Sequence, residues 1–133
     1  MTTSPPLGAA ASPLGVLLRH GDHEAAHYAL VVATGAAAVG RDVVIFATNG
    51  GCRLFLDARP LESDPREARL MARGVASIAT LLEAAGDLGI RRIACEAGLK
   101  AEDIPPGSLT DGVEVAGIVT FLAAIGAGQI IAL

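Results

Sequence analysis

Aromatic side chains are scarce: no tryptophan, one tyrosine and three phenylalanines, 3% of 133 residues. That excludes a stacking platform for single-stranded nucleic acid and a binding face built on aromatic anchors. Charge is also sparse, at 18%, and no stretch gathers Lys and Arg on one face. Ten basic against fourteen acidic residues leave a net charge of −4, so nucleic acid is not an expected partner. Cysteine is limited to Cys52 and Cys95, far apart and not in a Cys-x-x-Cys pair. Free thiols in a reducing cytoplasm are the expectation. The opening residues carry no basic segment of a secretory signal; their Thr, Ser, Pro, Gly and Ala read as a disordered tail over residues 1–12.

What the chain does have is apolar residues, 52% of the total. A chain of this length is one domain, expected over residues 13–133, and buries about two-thirds of the surface its unfolded form exposes. Disorder and linker roles are excluded. Val115 to Leu133 carries no charge and has the length of a bilayer-crossing segment. Gly117, Gly126 and Gly128 interrupt it, however, and no basic residue flanks it. A helix followed by a short strand inside a parallel sheet gives the same hydropathy, so no membrane association is expected.

Short β-branched runs alternate with Ala-rich stretches. Strands are predicted at Leu14–Leu18, Asp42–Thr48, Arg92–Cys95 and Gln129–Ala132. Helices are predicted at Glu24–Val39, Pro65–Ala85, Glu96–Ala101 and Asp111–Ile125, with a helical turn at Cys52–Leu56. Asp64 is the N-cap of the second helix and Pro65 its first-turn proline. The alternation predicts right-handed βαβ units and a mostly parallel sheet of four or five strands, an α/β fold. Ligands and chemistry gather at the carboxyl ends of such strands.

Three strand ends carry chemistry-bearing residues. Cys95 closes its strand just before Glu96, where the amides opening the next helix suit a nucleophilic sulfur; a small buried apolar role is the alternative. Asn49, Gly50, Gly51 and Cys52 form a turn whose glycines would let backbone amides approach a small anionic ligand, with Cys52 placed for a lowered pKa. A plain strand-to-helix turn gives the same residues. His20 ends the first strand. If the first and third strands are neighbours, it faces Cys95; otherwise it is a solvated loop residue. His23-Glu24-x-x-His27 matches the H-E-x-x-H zinc pattern, but Leu30 and Ala33 stand where the metzincin extension needs Gly and His, and no third ligand is evident. No metal is expected there.

Two passages carry a family resemblance: Arg92-Ile-Ala-Cys95, a strand ending in cysteine, and Asp111-Gly-Val-Glu-Val-Ala-Gly-Ile-Val-Thr-Phe-Leu122. Together with the element order from Leu14 to Leu133, they resemble the DsrE/DsrF-like family of small sulfur-relay proteins, in particular its peroxiredoxin-like DsrE branch. The resemblance implies a flavodoxin-like three-layer sandwich, assembly into homo-oligomers, and a strand-end cysteine, Cys95, that carries sulfur as a persulfide. It further implies sulfur donor and acceptor proteins as partners and no cofactor. Where many relatives continue with a Ser/Met-rich stretch, this chain has Glu96-Ala-Gly-Leu-Lys100. A different class of function stands beside this one, in which Asn49, Gly50, Gly51, Cys52 and Glu96 grip a small ligand or nucleotide without covalent chemistry. A purely structural subunit is a third.

Overall fold

The computed structural model describes residues 12–133. The tail expected over residues 1–12 thus lies outside the described residues, Ser12 excepted. Five strands, β1 (Leu14–Leu18), β2 (Val43–Ala47), β3 (Arg91–Cys95), β4 (Val113–Ala116) and β5 (Gln129–Ala132), form one sheet in the order β4-β3-β2-β1-β5. Every pairing is parallel. The helices are α1 (His23–Ala38), α2 (Pro65–Ala72), α3 (Ile78–Asp87), α4 (Glu96–Ala101) and α5 (Ile118–Ile125). This is the α/β fold with a parallel sheet that the alternating pattern predicts, in the flavodoxin-like layout that the resemblance implies.

The order of the strands distributes the helices. From β1 to β4 the chain steps in one direction across the sheet, and right-handed crossovers keep α1, α3 and α4 on one face. Only the return from β4 to β5 reverses direction, which sets α5 on the other face. The two cores differ accordingly. On the first face Leu14, Val16 and Leu18 of β1 pack with Ala26, Ala29, Leu30 and Ala33 of α1, Ile78 of α3 and Leu99 of α4. On the second, Val44, Phe46, Ile93 and Cys95 meet Phe121 and Ile125 of α5 alone. Alternate residues of one strand thus serve different cores. Phe46 and Phe121 stack with ring centroids 4.8 Å apart, and the Phe121 ring lies over Gly15, where a side chain would collide with it.

Three expectations are corrected. The first and third strands are not neighbours, because β2 lies between them. The predicted helix Pro65–Ala85 is two helices: Gly74 takes a left-handed φ of +73° after α2, and Ser77 caps α3 by accepting from the Thr80 amide at 3.2 Å. The predicted helix Asp111–Ile125 is β4 followed by α5. Gly112, at φ +86°, turns the chain into the sheet, and the period-two segment Val113-Glu-Val115 pairs with β3 in the register Arg92↔Val113 to Cys95↔Ala116. An Arg91–Glu114 pair across these strands, Nε to Oε2 at 2.7 Å and Nη2 to Oε1 at 3.0 Å, reinforces that register. The uncharged run from Val115 is therefore the end of β4, then α5 and β5. No helix among the described residues is long and apolar enough to cross a membrane.

Candidate functional site at the carboxyl edge

Glycines close the carboxyl edge of the sheet. The Gly51 amide donates to the Arg19 carbonyl at 3.2 Å and the Thr48 carbonyl at 2.9 Å, tying the end of β2 to the end of β1. A Cβ on Gly51 would strike the Leu18 carbonyl, one on Gly21 the Gly50 carbonyl, and one on Gly98 the Asn49 amide nitrogen and Thr48 hydroxyl. Three loops therefore touch through bare backbone, which no other residue permits. The cost of this closeness falls on the Asn49-Gly50-Gly51 turn: Asn49 adopts a left-handed φ of 51°, and the Gly51 amide that would meet an anionic ligand is already bonded. This segment begins a 3₁₀ turn, Asn49–Phe55, rather than an open loop.

Cys95 ends β3 and caps α4. Its sulfur accepts from the Gly98 amide at 3.4 Å, the N-cap arrangement in which a side-chain acceptor satisfies one of a helix's free first-turn amides. The residue is 7% exposed and packs on the α5 side with Phe46, Ile93 and Phe121. Glu96 points to solvent and pairs with Lys100 at 3.2 Å along α4.

Cys52 behaves in the opposite way to expectation. It is fully buried in the 3₁₀ turn, and its thiol donates to the Ala47 carbonyl at 3.5 Å. Burial pushes its pKa up to about 11, helped by the neighbouring Cys95 and Glu102, while hydrogen bonding from the Cys95 backbone offsets only part of the rise. A lowered pKa is thus corrected to a raised one: the turn leads the thiol into the apolar core. His20 is exposed, and no hydrogen bond among the described residues joins it to Cys95. With β2 interposed, the strand adjacency that would have brought them together is missing.

The histidines of His23-Glu24-x-x-His27 are tied to protein. His23 Nε2 donates to Glu67 Oε1 at 2.7 Å and His27 Nε2 to the Ala76 carbonyl at 2.8 Å, their rings stacked 5.9 Å apart. Glu24 faces Arg66 at 3.6 Å instead. Among the described residues no three His, Cys, Asp or Glu side chains gather as a metal site would require. Glu67, itself buried, also accepts from the Ile78 and Ala79 amides at 3.0 Å each, capping α3 from α2. Burial alone would raise its pKa, but the hydrogen bonds from His23, Ala79 and Ile78 outweigh that and hold the carboxyl below the usual glutamate range.

With the fold and this edge defined, the chain can be set beside known proteins. It is 25% identical over 150 residues to the sulfur carrier protein DsrE2 of Allochromatium vinosum, an alignment covering 88% of this chain and 94% of that protein. No family model matches. The chain's similarity to DsrE2 supports its resemblance to the DsrE/DsrF-like family. Its fold is shared with YchN from E. coli, at a TM-score of 0.70 with 16% identity, covering 92% of this chain and 99% of that one. MTH1491 from Methanobacterium thermoautotrophicum, of unknown function, superposes with a TM-score of 0.65 at 14% identity, covering 91% and 98%. At this edge the residue that sequence reasoning passed over is Gly98. Its signal was present as Cys95-x-x-Gly98, a cap and the third residue of the helix it caps.

Proposed function

We propose that this protein is a sulfur carrier that holds sulfur as a persulfide on Cys95. The supporting observation is the placement of Cys95 at the carboxyl end of a parallel strand with its sulfur against a helix-opening amide. The similarity to a sulfur carrier protein points the same way. The Cys95 thiolate attacks the outer sulfur of a donor persulfide R–S–SH; the donor's S–S bond breaks, R–S⁻ leaves, and Cys95–S–SH forms. An acceptor thiolate then attacks that outer sulfur, takes it, and returns Cys95 to its thiolate. The exchange involves no net oxidation and needs no cofactor. Sulfur donor and acceptor proteins in a reducing cytoplasm are the partners this reading requires.

At 7% exposure the sulfur meets a donor through local opening of its cover. That cover is thin: α4 has six residues, and the first turn of α5 has no side-chain cap. His20 has no role in this scheme, and Asn49, Gly50, Gly51 and Cys52 serve as the packed wall behind α4. Incubating the reduced protein with sodium polysulfide, followed by digestion and peptide mass analysis, tests the assignment. One added sulfur on the Cys95 peptide is expected, absent in Cys95→Ser, which keeps an oxygen to cap α4. Sulfur confined to Cys52, or undiminished loading of Cys95→Ser, overturns it.

A further inference from the structure

Arg92 sits near the amino end of β3 and shares the α1/α3 face with Ala94, away from Cys95. Beside it opens a cavity of about 380 Å³ lined by Arg59, Ala79, Leu82, Glu83, Arg92 and Thr110. The cavity lies at the small end of ligand sites, which run to about 300–1,000 Å³. Among the described residues Arg92 makes no ion pair, and its Nε is buried without a hydrogen-bond partner. Its sequence neighbour Arg91, by contrast, is held in a two-bond pair with Glu114. Arg59 pairs with Glu62 through Nη1 alone, at 2.9 Å.

The backbone makes room for the unpaired group. A Cβ on Gly112 would lie 2.8 Å from Arg92 Nη2, and Gly112 holds a φ of +86° that other residues rarely adopt. A guanidinium stays charged at every accessible pH, and a partly buried one without an acceptor is costly to keep. The acceptor that fits its planar fork is an oxyanion, carboxylate or phosphate. The Thr110 hydroxyl supplies a further donor in the lining. Glu83 in the same lining disfavours a second anionic group near it and accepts from a hydrogen-bond donor.

We propose that this cavity is a binding site for a small molecule carrying one oxyanionic group, a carboxylate or a phosphate, with Arg92 as its principal contact and Arg59 and Thr110 beside it. The ligand's other end presents a donor to Glu83. The site lies apart from Cys95 and does not depend on sulfur transfer.

Inorganic phosphate and acetate are titrated separately into the full chain at ionic strength held constant with sodium chloride. Melting temperature and the Arg92 Nε–H resonance are followed together. The expected result is a saturable rise in melting temperature with a matching shift of that resonance. Binding should be weakened on the order of tenfold or more in Arg92→Gln, as loss of a charged hydrogen bond dictates, and left unchanged in Arg91→Gln. The stronger of the two ions distinguishes a tetrahedral phosphate head from a planar carboxylate. No saturation with either ion, equal affinity in Arg92→Gln, or an Arg92 resonance in the unaltered protein that does not move with either ion overturns the proposal. The last measurement decides even if the Arg92 variant does not fold.

Discussion

The Gly98 amide points at the Cys95 sulfur from 3.4 Å, while the bare Cα of the same glycine rests against the Asn49 amide and the Thr48 side chain. One residue thus holds the sulfur and fixes the helix that carries it against the neighbouring strand end. Any side chain at this position pushes α4 outward and takes the amide with it.

Gly98→Ala is a direct test of that coupling. Inside a helix the change ordinarily gains about 1 kcal/mol in propensity. Forcing a methyl group into backbone costs about 1–3 kcal/mol, and here the obstruction includes the Asn49 nitrogen, which cannot swing aside as a flexible side chain would. The net result is a lower melting temperature. Modification of Cys95 by iodoacetamide should accelerate in the variant, because the displaced α4 uncovers the sulfur. A stabilised variant with unchanged Cys95 reactivity contradicts the coupling.

Cys52 and Cys95 should separate cleanly by reactivity in the folded protein. With a pKa of about 11, Cys52 is a thiolate in roughly one molecule per thousand at pH 8, and it is fully buried besides. Peptide mapping after brief iodoacetamide treatment should find the label on Cys95, with Cys52 labelled only after unfolding. Raising Cys52 above its unfolded value of about 8.5 also has a sign for stability. The native state holds the proton more tightly, so this stabilisation is complete below the unfolded pKa and is lost as pH climbs toward 11. Thermal melts between pH 8 and 11 should show Cys52→Ala losing less stability with rising pH than the parent does.

Glu67 titrates in the other direction. Its carboxyl is held below the usual glutamate range by His23 and the two α3 amides. The contribution is therefore present above the unfolded value of about 4.3 and lost as pH falls through the depressed folded value. Glu67→Gln should be less stable at pH 7 by about 1–3 kcal/mol, the cost of leaving buried donors poorly satisfied. The gap between variant and parent should close on acidification below the ordinary glutamate range. A gap that is constant with pH would mean the carboxylate charge is not what caps α3.

How far the sequence disclosed all this differs from element to element. β5 and α4 were legible residue for residue, because Gln129–Ala132 is a short run beyond glycines and Glu96–Ala101 is bounded by a strand and by prolines. β4 was not. Val113-Glu-Val-Ala116 is too short to declare its period, and the Arg91–Glu114 pair that fixes it joins residues 23 positions apart. The break before α3 was hidden for a similar reason: its cap comes partly from Glu67, eleven residues upstream. At the carboxyl edge, the placement of Cys95 at the end of its strand was legible in the sequence. The sense of the Cys52 shift was not, since it depends on which way one 3₁₀ turn directs a thiol. The His20 expectation failed on strand order, which local pattern does not encode.

The last prediction concerns the face that the chain covers with a single helix. Since only the β4-to-β5 return crosses on that side, α5 must shield the sheet alone, and it is apolar on its outer surface as well. Val119 is 76% exposed, with Ile118 and Leu122 beside it at 44% and 48%, and Ile130 of β5 at 40%. An apolar patch of this kind is the usual mark of an interface, and a closed symmetric assembly is the common way to cover it. α1 is the weaker candidate: its buried residues already face the core, leaving Tyr28 as its large exposed apolar side chain. A homo-oligomer joined through α5 is the expected unit. Val119→Glu places a charge where it must be desolvated on association, yet costs the free chain little because the position is open to water. Light scattering at micromolar concentration should then give a multiple of 13.4 kDa for the parent and a mass near 13.4 kDa for the variant. A parent that stays at one chain's mass as concentration rises, or an oligomer indifferent to Val119→Glu, rules out α5 as the contact.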